Sequence, residues 1–277
     1  MKKVDNFFNL KDKVIIITGA GGLLGQKHAE AIAAYGGNPI LLDLSLDKVN
    51  KLSEDLNSKY SIKSRGFQVN ITIESEIEAN VRTVISEYGR IDGLINNAAN
   101  NPKVESKEDF SFSRLEIFSL DQWNDDISVG LTGAFLCAKH YGFAISKNPY
   151  GGSIINISSD LGKVAPDQRL YRIDGLPDEK QPVKPVSYSV VKTGLIGLTR
   201  YLSTYWPQKN VRCNTICLGG VENNQDESFI RSINDRIPLG RMAKSDEYMG
   251  SIVWILSDSS SYMNGSTVTI DGGRTSI

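Results

Sequence analysis

The stretch Val14-Ile15-Ile16-Ile17-Thr18-Gly19-Ala20-Gly21-Gly22-Leu23-Leu24-Gly25 decides the fold. It opens on a β-branched, wholly apolar run, the mark of a strand buried on both faces. Glycines then crowd a tight turn, and residues 23–35 read as a helix. A strand that enters a glycine turn and leaves as a helix is the first half of a parallel βαβ unit.

The alternation continues along the chain. Residues 39–42, 66–69, 93–96, 153–157, 211–217 and 267–270 read as further strands. Helices are expected from a Ser45 cap to about Lys59, over 74–88 and over 121–146, and around Tyr188 until Pro207 closes the last. No repeat, low-complexity segment or linker interrupts the 277 residues. The expectation is an α/β fold: one domain over 1–277, doubly wound in the Rossmann manner, with about seven parallel strands and helices on both faces.

Bulk properties exclude several classes. Lys and Arg number 31 against 32 Asp and Glu, a net charge of −1 that gives no reason to expect nucleic acid or an anionic membrane. Residues 1–10 lack the apolar run of a secretory signal, and 14–24 are too short to span a bilayer, so a cytoplasmic location is expected. Cys137, Cys213 and Cys217 make no disulfide framework. The two histidines, His28 and His140, lie far apart and no His/Cys cluster has metal-ligand spacing, so no metal is expected.

The turn holding Gly19, Gly22, Leu23, Leu24 and Gly25 lies where a dinucleotide pyrophosphate would sit. Glycines let the backbone approach phosphates, and a helix N-terminus offers free N–H groups. Asp43 stands 24 residues beyond Gly19, where a carboxylate would bind a ribose 2′-hydroxyl and repel a 2′-phosphate. No Arg or Lys follows it before Lys48, which favours NAD over NADP. The plainer alternative is a tight turn with Asp43 capping the next helix.

Tyr188 and Lys192 in Tyr-Ser-Val-Val-Lys fall on one helix face, one turn apart. A neighbouring ammonium favours the phenolate, so the pair could exchange a proton with an alcohol or carbonyl. The same spacing also occurs on ordinary half-exposed helix faces.

Placed after the glycine turn, this pair makes nearly the whole chain resemble the short-chain dehydrogenase/reductase family, single-domain branch. Asn96-Asn97-Ala98-Ala99 resembles its turn after the fourth strand, and Asn156-Ile157-Ser158-Ser159 the end of its fifth. Residues 211–215 resemble its sixth strand, and Asp271-Gly272-Gly273 its C-terminal motif. The resemblance implies an NAD-dependent oxidoreductase acting on a secondary alcohol or ketone. Tyr188 would be the general acid/base, Lys192 would lower its pKa and bind the nicotinamide ribose, and Ser159 would hold the substrate oxygen. Ser158 would point to the other strand face. Further cofactor contacts are expected from Asn70, whose amide oxygen could accept from the adenine amine, and from Ile71, Asn97, Ala98, Ala99, Gly219, Gly220 and Val221. The partners implied are a small-molecule substrate and further copies of the chain, as homodimer or homotetramer. The helices over 121–146 and around Tyr188 would pack there, with Ala134, Ala138, Gly194 and Gly197 permitting close approach.

Four departures stand out. Leu23 takes the family's middle glycine position, with Gly22 one place earlier. Gly130 replaces the Asn that usually helps hold a proton-relay water. Leu218-Gly219-Gly220 replaces a Pro-Gly turn. Ser159 and Tyr188 stand 29 residues apart, far more than usual. Two insertions, near 100–119 and 160–186, are therefore expected to rim the active site. Asp160, Arg169 and Tyr171 are substrate-loop candidates, and Phe110, Phe112 and Phe118 are anchors of the first insertion.

Together these features resemble a bacterial subgroup labelled flagellin modification protein A. That resemblance implies a sugar, polyol or sugar-phosphate substrate in a surface-glycan pathway. The same residues also allow a cofactor-retaining epimerase, dehydratase or aminosugar-forming enzyme. Gly130 and Leu218 leave room for a catalytically weak nucleotide-binding assembly protein.

Overall fold

The computed structural model describes residues 7–100 and 113–277. The expectations placed on Phe110, Phe112 and most of residues 1–10 and 100–119 lie outside the described residues.

Strands β1 (Val14–Thr18), β2 (Asn38–Asp43), β3 (Arg65–Gln68), β4 (Gly93–Asn96), β5 (Gly152–Ser159), β6 (Val211–Leu218) and β7 (Thr267–Ile270) form one seven-stranded sheet. Its order is β3-β2-β1-β4-β5-β6-β7, with every pairing parallel. The helices are α1 (Leu23–Ala34), α2 (Leu46–Tyr60), α3 (Glu74–Tyr88), α4 (Leu120–Ile127), α5 (Gly133–Ile145), α6 (Val186–Ser203), α7 (Glu227–Asn234) and α8 (Met249–Leu256).

Strand alternation divides the core into two layers. Ile15, Ile17, Leu41 and Ile95 pack with Ile32 of α1 and with Ile252 and Leu256 of α8. Ile16, Ile40, Leu42 and Leu94 pack with Ile77 of α3 and with Cys137 and Tyr141 of α5. Each fully buried isoleucine contributes about 1.5–3 kcal/mol, and β1 is apolar on both faces rather than on alternate ones. The neighbours of β1, β2 and β4, carry the chain away in opposite directions. That reversal opens a crevice beyond the carboxyl ends of β1 and β4.

Several expectations need correction. The helix expected over 121–146 is interrupted by a π turn, Ser128–Thr132, centred on Gly130. Helix α6 ends at Ser203, and Pro207 instead starts a 3-10 turn. The Ser45 side chain caps nothing; its backbone N–H donates to Asp43 Oδ1 at 3.1 Å. Helix α8 does not stand out in the sequence because its apolar run, residues 252–256, is too short to be told from a buried strand by periodicity. Ala134 and Ala138 are buried within the chain, and a side chain at Gly194 would meet Leu131, so these residues serve internal packing. The exposed apolar residues of the same helices are Phe135, Phe143, Val190 and Tyr201.

Residues 160–186 are packed, not slack. They hold three 3-10 turns (Asp160–Gly162, Gln168–Tyr171, Asp178–Lys180), and the buried Gln181 amide ties the stretch between the last two. That amide accepts from Ile173 N and donates to Ile173 O and Leu176 O. Among the described residues, no helix is long and apolar enough to cross a membrane.

His28 on α1 is wholly buried, and neither ring nitrogen has a partner among the described residues. Burial lowers its pKa to about 3. The unfolded chain therefore binds a proton below about pH 6.5 that the folded chain refuses. Stability falls as pH drops below that point, by up to about 1.4 kcal/mol per unit from this group, until the folded imidazole protonates. Urea unfolding of wild type and His28→Met at neutral and mildly acid pH should show a shallower acid loss in the variant; equal slopes would contradict the assignment.

Candidate active site

The crevice encloses about 590 Å³. Its floor is the glycine turn. Gly19 has φ +63°, and a Cβ there would lie 2.9 Å from the Ala98 backbone; one at Gly25 would lie 2.3 Å from Gly19 O. Both positions need glycine for close packing. The N-terminus of α1 has no side-chain cap and no acidic residue in its first turn, so its N–H groups remain open to an anion. Gly22, Leu23 and Leu24 line the crevice, which accommodates the shift of one glycine by one place.

Asp43, at the end of β2, accepts from Gly21 N at 2.9 Å and from Ser45 N, so its carboxylate is fixed at one end of the crevice. Asn97 ties the turn after β4 to the glycine loop, its Nδ2 donating to Thr18 O at 2.9 Å and Gly19 O at 3.1 Å. Thr18 Oγ1 accepts from both Asn97 N and Ala98 N at 3.0 Å. Asn70, Ile71, Ala98 and Ala99 line the wall, as do Gly219, Gly220 and Val221. One expectation changes here: Asn70 Oδ1 already accepts from Thr72 N and Oγ1, so its oxygen is committed to its own turn.

Beyond this cradle lie Ser159, Tyr188 and Lys192, from the end of β5 and one face of α6. Ser158 Oγ instead donates to Lys192 O at 2.7 Å, so its hydroxyl is taken up by the backbone of α6. Tyr188 and Ser159 line the same part of the crevice. Lys192 Nζ donates to Ile157 O at 3.0 Å and stands 5.7 Å from the Tyr188 ring centre. Burial, reinforced by the charge of Lys184, lowers Lys192 to about 8.

The expected lowering of the Tyr188 pKa by Lys192 does not hold in this arrangement. Burial raises Tyr188 above the usual phenol value and the charge of Asp160 adds to it, while the neighbouring Ser159 hydroxyl and the charge of Arg274 act the other way. The Lys192 ammonium is turned toward the Ile157 carbonyl instead.

Four neighbours escaped the sequence reading. Lys184 Nζ lies 3.9 Å over the Tyr188 ring, a cation–π contact. It stands four residues before Tyr188, the mirror of Lys192, but Pro185 hid the relation by ruling out a continuous helix. Asp126 of α4 accepts from Ser187 Oγ and from Gln122 Nε2, tethering the start of α6 one residue before Tyr188. Arg274 pairs with Asp160, and Phe229 of α7 meets the Tyr171 ring at 5.9 Å. Asp160 and Tyr171 both line the crevice. Arg169 does not: its side chain is 78% exposed and bonded to Asp167.

Gly130 has a steric cause. A Cβ there would lie 2.5 Å from Val191 Cγ1, so Val191 takes the space a larger residue would need. Gly130→Asn should cost about 1–3 kcal/mol through overpacking, and Val191→Ala should restore most of it. Urea midpoints of the two single variants and the double variant measure the coupling, and purely additive losses would contradict it.

Among the described residues, one possible metal-ligand cluster brings Glu74, Glu78 and His140 within 4.8 Å of one another. Glu74 is already bonded to Lys139 and His140, and none of the three lines the crevice.

Comparison with known proteins agrees with this geometry. A family model described as short chain dehydrogenase matches residues 13–171, and one described as Enoyl-(Acyl carrier protein) reductase matches 179–275. An NADP-dependent mannitol dehydrogenase of Hypocrea jecorina is 31% identical, covering 98% of this chain and 95% of its own. A D-threitol dehydrogenase of Mycolicibacterium smegmatis is 29% identical, covering 98% and 96%. The crystal structure of a gluconate 5-dehydrogenase from Burkholderia cenocepacia, in complex with NADP and tartrate, shares the fold with a TM-score of 0.85 over 98% of each chain, at 23% identity.

Proposed function

The chain belongs to the short-chain dehydrogenase/reductase family, and from that premise we propose a specific reaction for it. It is an oxidoreductase acting on alcohols or ketones with a nicotinamide cofactor. The reaction is reversible oxidation of a secondary alcohol on an uncharged sugar or polyol, with NAD as acceptor. The observation that carries it is the convergence of Ser159, Tyr188 and Lys192 in one crevice with the glycine turn and Asp43.

The chain fits a dinucleotide in particular ways. The uncapped α1 N-terminus and the close-packed glycines suit a pyrophosphate, and Asp43 suits a ribose hydroxyl. The mannitol dehydrogenase relative is NADP-dependent, but a fixed carboxylate at the end of β2 argues for NAD here. When bound, the cofactor supplies the hydride-accepting ring. Ser159 orients the substrate oxygen, and Tyr188 takes or returns the proton at that oxygen. Lys192, held by the Ile157 carbonyl, is placed to bind ribose hydroxyls. Because burial raises Tyr188, alcohol oxidation accelerates with rising pH while ketone reduction, which uses the protonated phenol, does not.

The glycan-pathway reading adds that the substrate is a sugar-derived alcohol, and the exposed Phe135, Phe143, Val190 and Tyr201 are consistent with a homodimer or homotetramer. The test is turnover: purified protein with NAD and a panel of polyols should generate NADH in proportion to product. Tightly held cofactor that is recycled without net NADH would favour an epimerase instead.

A further inference from the structure

Next to Ser159 the crevice wall carries a full ion pair. Asp160 is 2% exposed and the Arg274 side chain 11%, and the two are bonded to each other. They are brought together by distant parts of the chain. Asp160 follows directly on β5, whereas Arg274 follows β7, turned back by Gly272 and Gly273 at φ +67° and +90°. Asp160 Oδ1 accepts from Ser159 Oγ at 2.6 Å and from Leu161 N at 2.8 Å. Its other oxygen takes one Arg274 nitrogen.

A guanidinium has five N–H donors. Among the described residues, Arg274 gives its side chain to no acceptor but Asp160, although it lines the crevice and its charge reaches Tyr188. Desolvating a charged pair is costly unless its remaining hydrogen-bonding capacity is used. The pair is electrically neutral, so it rewards a hydroxyl, which both donates and accepts, over a carboxylate or phosphate, which only accept.

We propose that Asp160 and Arg274 form a hydroxyl-reading subsite beside Ser159, which selects substrates carrying a second hydroxyl on the carbon next to the reacting one. The substrate class is an uncharged vicinal diol and its hydroxyketone product. Arg274 determines specificity by bonding that second oxygen directly. Asp160 is a positioning residue that orients both Arg274 and the Ser159 hydroxyl. This rests on the alcohol-oxidising reading of the same crevice.

The test compares vicinal cyclohexanediol with cyclohexanol, which lacks only the second hydroxyl, in wild type, Arg274→Met, Arg274→Lys and Asp160→Asn. Wild type should favour the diol by about 10–100-fold in kcat/KM, the worth of a hydrogen bond to a charged donor. Arg274→Met should bring that ratio close to unity, whatever its effect on cyclohexanol turnover itself, and Arg274→Lys should restore part of the preference. In Asp160→Asn the guanidinium is uncompensated, so the ratio of hydroxy-acid to diol turnover should rise by about tenfold. These are ratios within one variant, so a general loss of folding or of Ser159 placement cancels.

Equal loss of both alcohols in Arg274→Met, or an unchanged diol preference, overturns the subsite and leaves the dehydrogenase reading standing. A wild-type preference for hydroxy acids or phosphorylated polyols also overturns it and points to Lys184 as the anchor. If wild type oxidises neither alcohol, the dehydrogenase reading falls first. Saturation-transfer NMR of the diol with the NAD complex then decides: signal in wild type lost in Arg274→Met supports the subsite, and equal or absent signal in both overturns it.

Discussion

Tyr188→Phe is expected to lower kcat/KM for alcohol oxidation by about 10³-fold while NAD binding is retained. The substitution removes only the hydroxyl. The ring keeps its contact under Lys184, and the tether from Ser187 to Asp126 that places the start of α6 is untouched. What disappears is the phenol hydroxyl, which lines the crevice with Ser159 and can carry a proton to or from the substrate oxygen. A structural role would lower thermal stability and cofactor affinity together with rate. A role in proton transfer lowers kcat alone, and the rise of oxidation with pH flattens because the titrating phenol is gone. Fluorescence titration with NAD and steady-state kinetics of the variant separate the two. A loss smaller than about tenfold would place the general base elsewhere.

The second large effect is expected at Asp43. Its carboxylate is held by the Gly21 and Ser45 amides, so it cannot swing away from a 2′-phosphate placed at that end of the crevice. Wild type should use NAD in preference to NADP, and Asp43→Ser should raise the relative use of NADP by about 100-fold, the equivalent of roughly 3 kcal/mol of relieved repulsion. The stem of Lys48 passes beside Gly21, so removing the carboxylate leaves that cation to meet the extra phosphate. Specificity constants for both cofactors in wild type and variant provide the check. A wild type that already prefers NADP would contradict the assignment and align it with the NADP-using mannitol dehydrogenase relative.

The fold was legible because its signals are local. Four consecutive apolar β-branched or branched residues before a glycine turn can only be buried on both faces, and the same pattern repeated gives a parallel sheet. The glycine turn and the place of Asp43 beside it were legible for the same reason, since Gly19, Gly25 and Asp43 belong to one βαβ segment. What the sequence hid lies in contacts between remote segments. Asp160 and Arg274 are 114 residues apart, and nothing at either position announces the other. Val191 filling the space beside Gly130, and Asp126 bonded to Ser187, are likewise facts of packing between helices. Arg169 failed as a substrate contact because Asp167 satisfies it locally, an interaction two residues away that composition alone does not reveal. Asn70 lost its expected acceptor to Thr72 by the same kind of local turn.

The central claim is that Ser159, Tyr188 and Lys192 serve hydride transfer between a polyol carbon and a nicotinamide. A polyol deuterated at the reacting carbon, incubated with the protein and NAD, tests it most directly. The account predicts that deuterium appears on the nicotinamide ring of the released NADH, one label for each ketone formed, in wild type and far more slowly in Tyr188→Phe. Deuterium lost to water, or product formed with no label on the nicotinamide, would contradict it.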